Sequence, residues 1–224
     1  MARVLIVDDH QMFGQALQRL LEGEEDLEVV GVAGSAEEAL AACGPSGPEV
    51  VLMDIDLPGV DGITAISGIL KRCPGAQVVV VTALHDPSLL GRAVDAGAAG
   101  FLSKSEAIED LVSVVHRAAE GDIVLPADRT QEILRGVHAA RLRAVSGNGG
   151  PALTKRELEV LQAFADGLDP VGVAERLFIS PRTVHSHVRS ALQKLEVHST
   201  LQAVLLCLRR GQITLGARGK AAQQ

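Results

Sequence analysis

Four short apolar runs mark the first half of the chain, and each ends at a polar side chain of a particular kind. The runs are Arg3 to Val7, Val50 to Met53, Val78 to Val81, and Gly100 to Ser103. The residues that follow them are Asp8 and Asp9, Asp54, Thr82, and Lys104. Short runs of β-rich apolar residues are typical of strands buried on both faces, as in a parallel sheet. The pattern therefore predicts four parallel strands with polar residues at their carboxyl ends.

The stretches between these strands have helical spacing. Apolar residues recur at helical intervals in Ala16 to Leu21 and in Ala36 to Leu40, and an amphipathic helix at Leu111 to Ala118 stops at Gly121. Strands that alternate with helices form βαβ units. In an open α/β sheet the ligand site lies at the carboxyl ends of the strands. We therefore expect the five polar side chains to converge at one edge of the sheet.

The pattern changes to helices alone from Leu153 onward. Three helix starts are indicated by the N-cap signals Thr154 with Glu157, Asp169 with Pro170, and Ser180 with Pro181. The third helix is predicted to run to about Leu195, and a fourth from about Thr200 to Arg210. Because a tight connection joins the second and third helices, they have the outline of a helix-turn-helix. The second domain is therefore expected to be small and all-α.

The third of these helices has one apolar stripe and one polar face. Its apolar stripe consists of Val184, Val188, Ala191, Leu192 and Leu195. Its outward face consists of Arg182, Thr183, His185, Ser186, Arg189, Gln193 and Lys194. Hydroxyl and basic groups on one face suit contacts with DNA phosphates and base edges. A solvated amphipathic helix would show the same stripe, so the pattern alone leaves both interpretations open.

A segment of linker composition separates the two patterned regions. A short helical stretch around residues 131–143 precedes Ser146 to Pro151, which is rich in glycine. We predict a first domain at residues 1–122, a linker with a short helix at 123–150, and a second domain at 151–216. Its helix-turn-helix is expected at about residues 170–189, and residues 217–224 are expected to form a disordered tail.

Charge also divides the chain. The net charge of the 224 residues is −7, but residues 1–122 carry −13, residues 123–150 carry +2 and residues 151–224 carry +4. A polyanionic partner is therefore expected only at the C-terminal end. No apolar run has the length of a membrane span, and no signal peptide is recognisable. The three cysteines match neither a disulfide framework nor a zinc site, so a reducing cytoplasm is the expected setting.

The predicted polar cluster suits a divalent cation and a phosphoryl group. Mg²⁺ takes one or two carboxylates and fills its other positions with water and phosphate oxygens. Asp9 and Asp54 suit direct coordination, and Asp8 suits coordination through a water. Asp54 stands alone at its strand end, so it is the better candidate for a nucleophile. Lys104 would neutralise phosphoryl oxygens, and the Thr82 hydroxyl would donate a hydrogen bond to them.

The first domain resembles the receiver domain of bacterial two-component response regulators, through VLIVDDH, VVLMDIDLPGVDG, VVVVTALHD and AGAAGFLSK. The resemblance implies a flavodoxin-like fold with a doubly wound, five-stranded parallel sheet. It implies that Asp54 accepts phosphate from a sensor histidine kinase, with Lys104 in the pocket. The implied metal ligands are Asp8, Asp9, Asp54 and the main-chain carbonyl of Asp56. The implied switch residues are Thr82 and Phe101.

The second domain resembles the LuxR-type helix-turn-helix domain, through LTKRELEVL, VAERLFISPRTVHSHV and ALQKLEV. A receiver joined to such a domain is the NarL/FixJ layout. The resemblance implies base-reading positions at His185, Ser186 and Arg189. It implies phosphate or positioning contacts at Arg182, Thr183, His187 and Lys194. The last helix would support a homodimer that reads two half-sites of double-stranded DNA.

A few positions depart from the family pattern. Ser105 stands where many receivers have Pro after the lysine, and Pro170 and Gly172 stand where the helix before the turn is usually polar or basic. Glu196 replaces a Gly that ends the recognition helix in the left-handed conformation, which Glu tolerates poorly. His10 is expected to start a helix rather than bind metal, since carboxylate and water suit Mg²⁺ better than imidazole.

Both resemblances together lead to one functional expectation. We expect a transcription regulator of a two-component system, controlled by Mg²⁺-dependent phosphorylation of Asp54, and not an enzyme. Its expected partners are a sensor histidine kinase, promoter DNA and, when active, a second copy of the chain, with no membrane partner. One alternative is a phosphorylation-independent regulator or protein-interaction module with a structural acidic cluster. Another is a phosphatase that turns over aspartyl phosphate.

Overall fold

A computed structural model describes residues 1–44, 47–83, 87–105, 107–125 and 152–215. The first four ranges form an α/β domain, and the last forms a group of four helices. The predicted linker helix at residues 131–143 and the predicted tail at residues 217–224 lie outside the described residues.

The α/β domain contains a sheet of five parallel strands. In chain order these are β1 (Ala2–Val7), β2 (Leu27–Ala33), β3 (Val50–Met53), β4 (Gln77–Thr82) and β5 (Gly100–Ser103). Their order across the sheet is β2-β1-β3-β4-β5, as expected for a doubly wound α/β fold. Four strands coincide with the predicted apolar runs to within one residue at each end. Strand β2 is not among those runs, since it lies at the sheet edge and exposes part of its surface.

The register of the sheet aligns the carboxyl ends of the strands. Val7 at the end of β1 pairs with Met53 at the end of β3, and Met53 pairs with Val80. Thr82 at the end of β4 pairs with Ser103 at the end of β5. The polar residues at or directly after the ends of β1, β3, β4 and β5 therefore meet at one edge of the sheet, as predicted.

Helices cover both faces of this sheet. They are α1 (Gln11–Leu21), α2 (Ala36–Ala42), α3 (Gly62–Arg72), α4 (Pro87–Ala96) and α5 (Ala107–Ala119). Successive side chains of a strand point to opposite faces. Val4 and Ile6 of β1 accordingly pack in one apolar layer with residues of α1 and α5. Leu5 and Val7 pack in the other layer, with residues of α2, α3 and α4.

The C-terminal domain consists of four helices in the described range. They are α6 (Lys155–Ala165), α7 (Pro170–Leu177), α8 (Pro181–Leu195) and α9 (Thr200–Arg209). The three predicted N-caps are confirmed, because the side chains of Thr154, Asp169 and Ser180 each accept a backbone N–H of the first turn. Among all described helices, none combines the length and apolar character that crossing a membrane requires.

Two helices of this domain end at residues with positive φ. Phe178 after α7 has φ 54°, and Glu196 after α8 has φ 56°. The backbone at Glu196 thus adopts the left-handed cap that its helix requires, although its side chain makes that conformation costly. Phe178 ends α7 and leads into the short connection to α8, with 95% of its surface exposed.

The beginning of α9 lies against the α/β domain. The Ser199 hydroxyl donates to the Ala98 carbonyl over 2.8 Å, and the Thr200 hydroxyl donates to the Gly121 carbonyl over 2.7 Å. The side-chain amide of Gln202 reaches the Asp95 carbonyl over 3.2 Å. Ser199 and Thr200 are buried there. The two domains are therefore joined by a specific polar contact in this structure.

Residues 123–125 continue the α/β domain beyond α5. Ile123, Val124 and Leu125 are buried, and the Val124 carbonyl accepts the backbone N–H of Phe101 over 2.8 Å. This segment therefore adds a short bridge beside strand β5.

Candidate phosphoacceptor site and nucleic-acid interface

Asp8 and Asp54 form the buried floor of the acidic cluster. Their exposed fractions are 3% and 2%. Their backbones extend the sheet, since Asp8 N–H donates to the Ala33 carbonyl over 2.9 Å and Asp54 N–H donates to the Val7 carbonyl over 2.8 Å. Each carboxylate is thus held by a rigid strand end. Groups held in this way lose little further freedom when a ligand binds.

Lys104 closes the cluster from the end of β5. Its ammonium contacts a carboxylate oxygen of Asp8 and one of Asp54, each over 2.7 Å. It also lies 4.9 Å from the centre of the Phe13 ring, within the range of a cation–π contact. Burial alone would lower the pKa of Lys104, but the hydrogen bonds to Asp54 and Asp8 outweigh burial and raise this pKa. Lys104 therefore keeps its positive charge in the pocket.

His10 belongs to the same cluster, which sequence reasoning did not anticipate. It occupies the N-cap position of α1, as predicted, and its side chain caps no backbone group there. Its Nδ1 instead lies 2.8 Å from Asp9 and 3.4 Å from Asp8. The sequence signal was its position directly after the acidic pair. The carboxylates of Asp8, Asp9 and Asp54 and the His10 imidazole offer ligand atoms within 4.8 Å of one another.

The remaining predicted residues of the pocket lie around this cluster. Asp56 follows the acceptor strand, and its backbone N–H donates to Asp54 over 3.0 Å. Thr82 and Phe101 are both buried, with 4% of the surface of each exposed. Ser105, in place of the family proline, bonds through its hydroxyl to Ser103 over 2.8 Å. Within the described residues no peptide bond is cis.

The donor set suits magnesium and a phosphoryl group. The cluster contains the carboxylates of Asp8, Asp9 and Asp54. Lys104 contacts two of them, so the cluster keeps excess negative charge even when Lys104 is paired. Hard carboxylate oxygens are the ligands that Mg²⁺ takes, and its remaining positions are left for water and phosphate oxygens. Phosphoryl transfer needs mainly in-line positioning and neutralisation of charge. The cluster supplies a buried carboxylate, candidate metal ligands and a cation.

Helix α8 carries the candidate DNA-reading face. Of its predicted apolar stripe, Val184, Val188, Ala191 and Leu195 are buried, whereas Leu192 is half-buried. Arg182, Ser186 and Arg189 are exposed, while Thr183, His185 and His187 are half-buried. The Thr183 hydroxyl is bonded to the Ser180 hydroxyl over 2.8 Å. The three exposed side chains are therefore accessible to a partner in this structure.

His185 is turned toward the α/β domain. Its Nε2 lies 3.6 Å from Oδ1 of Asp122, which follows α5 and is 6% exposed. Burial raises the pKa of the Asp122 carboxyl to about 6, although the charge of His185 opposes that rise. A residue predicted to read bases thus faces the other domain, and no pattern along the sequence indicated this contact.

Lys194 is engaged within its own domain. Its ammonium contacts both carboxylate oxygens of Glu157, over 2.8 and 2.9 Å. Glu157 also accepts from the Ser190 hydroxyl over 2.7 Å, and its other contacts form the capping box of α6 with Thr154. Burial would raise the pKa of Glu157, but hydrogen bonds from Lys194, Ser190 and Thr154 lower it to about 2. A phosphate contact at Lys194 would have to replace this pairing.

Two family models match the chain. The response regulator receiver domain matches residues 4–116, and the bacterial regulatory protein LuxR family matches residues 151–207. One match lies in each of the two regions that differ in sequence pattern.

Similar proteins span nearly the whole chain. The transcriptional regulatory protein LiaR of Bacillus subtilis is 33% identical, over 92% of this chain and 96% of LiaR. A structure of RcsB from Salmonella enterica serovar Typhimurium, bound to a flhDC promoter with the phosphomimetic BeF₃⁻, has a TM-score of 0.53 at 27% identity. It covers 93% of this chain and 98% of RcsB. A structure of two RcsB dimers on two parallel DNAs also has a TM-score of 0.53 at 27% identity, covering 92% and 97%.

Proposed function

The chain belongs to the response regulators that join a receiver domain to a LuxR-type DNA-binding domain, and we propose that phosphorylation of Asp54 controls its binding to promoter DNA. The observation that carries this proposal is the convergence of Asp8, Asp54 and Lys104 within 2.7 Å contacts. The chain is a DNA-binding transcription regulator of a two-component system. A sensor histidine kinase is the proposed phosphoryl donor.

The proposed transfer uses groups that the pocket already holds. A carboxylate oxygen of Asp54 attacks the phosphorus, a new P–O bond forms, and the P–N bond to the histidine of the kinase breaks. The histidine leaves as neutral imidazole once it has taken up a proton. Lys104 neutralises a phosphoryl oxygen, and Thr82 donates a hydrogen bond to another. Asp8, Asp9, Asp54 and the Asp56 carbonyl would hold Mg²⁺, which supplies further neutralisation of charge.

We propose that the unphosphorylated chain favours the closed arrangement of the two domains. This is supported by the hydrogen bonds of Ser199 and Thr200 to the α/β domain and by the position of His185 beside Asp122. Thr82 and Phe101 would transmit the phosphoryl state to that interface. A route is suggested by Phe101, whose backbone N–H is bonded to Val124 in the segment that follows α5. Phosphorylation would then shift an existing equilibrium toward the open form.

The proposed DNA contacts lie on α8 after opening. His185, Ser186 and Arg189 would read base edges, and Arg182, Thr183 and His187 would contact phosphates. We assign Lys194 mainly a structural role, because its ammonium is paired with Glu157. A homodimer would place two such helices in half-sites about 34 Å apart. RcsB dimers bound to DNA support this arrangement by similarity.

The domain limits and setting are also proposals. We propose a receiver that includes residues 123–125, because these residues pack beside β5. The linker would then extend to about residue 150, where the LuxR-type match begins. Because chromosomal DNA is the proposed partner, we propose a cytoplasmic setting.

The phosphoacceptor assignment can be tested by mass spectrometry. Full-length protein would be incubated with Mg²⁺ and acetyl phosphate, beside Asp54→Asn. As a matched control, Asp26→Asn changes an exposed carboxylate next to β2, at the opposite edge of the sheet. We expect one phosphoryl group on the wild type and on Asp26→Asn, and none on Asp54→Asn. Equal phosphorylation of the wild type and Asp54→Asn would overturn the assignment, and no gain on the wild type would favour the phosphorylation-independent alternative.

A further inference from the structure

A second cluster of metal-ligand side chains lies between the two domains. Glu120 and Asp122 lie just after α5, and His185 lies in the second turn of α8. The three residues offer ligand atoms that all lie within 4.8 Å of one another. None of them belongs to the phosphoacceptor pocket or to its predicted metal ligands. The cluster therefore needs a separate explanation.

Two atoms of this cluster are buried and have no hydrogen-bond partner among the residues that the structure describes. They are Oδ1 of Asp122 and Nε2 of His185, and the Asp122 side chain is 6% exposed. Buried polar atoms in native proteins are nearly always paired, so an exception calls for a missing ligand or a functional reason. The two atoms face each other over 3.6 Å, which is too long for a direct hydrogen bond.

The spacing of these atoms suits a shared metal ion. Zinc binds imidazole nitrogen and carboxylate oxygen at about 2.0 to 2.2 Å, so two ligands of a tetrahedral ion stand roughly 3.4 Å apart. The observed 3.6 Å requires only a small adjustment. Glu120 would supply a third ligand, and water would take the fourth position. An imidazole with two carboxylates favours zinc or a similar transition metal over magnesium.

The surrounding backbone holds the cluster in place. The Asp122 N–H donates to the Arg117 carbonyl over 3.0 Å, and Gly121 turns the chain there with φ 83°. The Gly121 carbonyl accepts the Thr200 hydroxyl of the other domain. The Arg117 guanidinium donates to the Ile123 carbonyl over 2.8 Å. Asp122 is thus fixed by a turn that is itself anchored across the interface.

We propose that Glu120, Asp122 and His185 form an interdomain binding site for a zinc-class divalent cation. The ion would bridge the receiver to the DNA-reading helix. The regulatory consequence of cation binding rests on the proposed function, in which His185 reads base edges. A bound ion keeps His185 against the receiver, so cation binding and DNA binding at this residue exclude each other. The cation would act as a second input that stabilises the closed form.

Equilibrium dialysis of the full chain with Zn²⁺ tests the site directly, with excess Mg²⁺ present to compete at the acidic pocket. Asp122→Asn and His185→Gln each remove one ligand. His116→Gln is a matched control, because His116 is a partly exposed histidine on α5, near Asp26. We expect both ligand variants to lose one zinc equivalent or to bind it at least about tenfold more weakly. Zinc isotherms identical to those of the wild type and His116→Gln would overturn the proposal.

The regulatory consequence has a separate measurement. Zn²⁺ should weaken binding of a selected DNA site by the wild type, and should have much less effect on Asp122→Asn. An equal zinc effect on both proteins would overturn the regulatory role. Zinc dialysis requires no DNA, so a failure of the proposed DNA-binding function would leave the cation result intact. Circular dichroism of each variant checks that lost zinc binding does not reflect unfolding.

Discussion

Each domain contains a cluster in which a lysine ammonium contacts carboxylates, but the two clusters differ in how the charges are balanced. In the receiver, Lys104 is shared between Asp8 and Asp54. In the C-terminal domain, the Lys194 ammonium contacts both carboxylate oxygens of Glu157. Glu157 also accepts a hydrogen bond from Ser190 and takes part in a capping box. One lysine balances the single Glu157 carboxylate, whereas one lysine is shared by two receiver carboxylates, which leaves net negative charge for a cation. An ion pair alone therefore does not mark a functional site. The better indicator is uncompensated charge on side chains held at strand ends.

Replacing the lysine of each cluster should separate the two roles most strongly. Lys104→Met removes the cation that we propose to neutralise the phosphoryl oxygens, so we expect phosphorylation to slow by about 100-fold or more. Lys194→Met should leave that rate unchanged. Both rates are measured by the time course of the mass gain with acetyl phosphate and Mg²⁺. Equal slowing by the two substitutions would remove the distinction between the clusters.

The acid sensitivity of the C-terminal domain provides a second test. The folded pKa of Glu157, about 2, lies below its usual value of 4.5. Its stabilising contribution is therefore fully present above about pH 4.5 and is lost as the pH falls toward 2. We expect Glu157→Gln to lower the free energy of unfolding by about 2 kcal/mol at pH 7, a value reduced for solvent screening around Lys194. The difference between the two proteins should shrink at low pH.

Urea unfolding followed by NMR signals from residues 152–215, at several pH values, measures this difference. The control must change a side chain that makes no structural contact. A change at Gln162 is unsuitable because Gln162 is hydrogen-bonded to Thr214. Glu175→Gln, on an exposed position of α7, is the better control. A destabilisation by Glu157→Gln that stays constant down to pH 2 would contradict the assigned pKa.

Backbone conformation also differs between the two domains. At the described positive-φ positions, the receiver has glycines such as Gly121, whereas the C-terminal domain includes Phe178 and Glu196. We expect Glu196→Gly to raise the free energy of unfolding of the C-terminal domain by about 1 kcal/mol, because it removes strain at φ 56°.

Gly121→Ala should destabilise the receiver by a similar amount, since an added Cβ meets no atom within 4 Å and only backbone strain changes. Urea unfolding checks both, and a loss of stability in Glu196→Gly would contradict the argument.

The contact of α9 with the receiver can be weakened by removing a single hydroxyl group. Thr200→Val removes the hydrogen bond to the Gly121 carbonyl while nearly keeping the shape of the side chain. We expect the unphosphorylated variant to bind a selected DNA site about 2 to 10 times more tightly than the wild type, the range for one hydrogen bond. Fluorescence anisotropy measures the affinity, with Thr64→Val on α3 as the exposed control. Unchanged affinity in Thr200→Val would argue against a closed inhibitory form.

The sequence predicted that Asp8, Asp54 and Lys104 lie together, because residues that follow parallel strands meet at the same edge of a sheet. Asp8, Asp54 and Lys104 each follow a run that is buried on both faces. Strand β2 was missed because it lies at an edge and alternates between buried and exposed residues, so no continuous apolar run marks it. The helix starts were predicted because their caps are local signals of a few residues.

Contacts between elements that are distant in the chain could not be predicted from the sequence. The stripe on α8 placed Lys194 on the outward face, but it did not indicate that Glu157 from α6 reaches that side chain. His185 was likewise placed outward, and its approach to Asp122 depends on how the two domains pack. Periodicity defines which face a residue occupies, whereas the partner of that face is set by tertiary structure.

The most direct test of the account is the DNA affinity of the full chain before and after phosphorylation. Wild type and Asp54→Asn would be titrated onto the same selected DNA site, with and without Mg²⁺ and acetyl phosphate. We expect phosphorylation to tighten binding by the wild type by about 5- to 150-fold, the usual range of coupling between two sites, and to leave Asp54→Asn unchanged. Fully phosphorylated wild type that binds DNA no more tightly than the untreated protein would contradict the account.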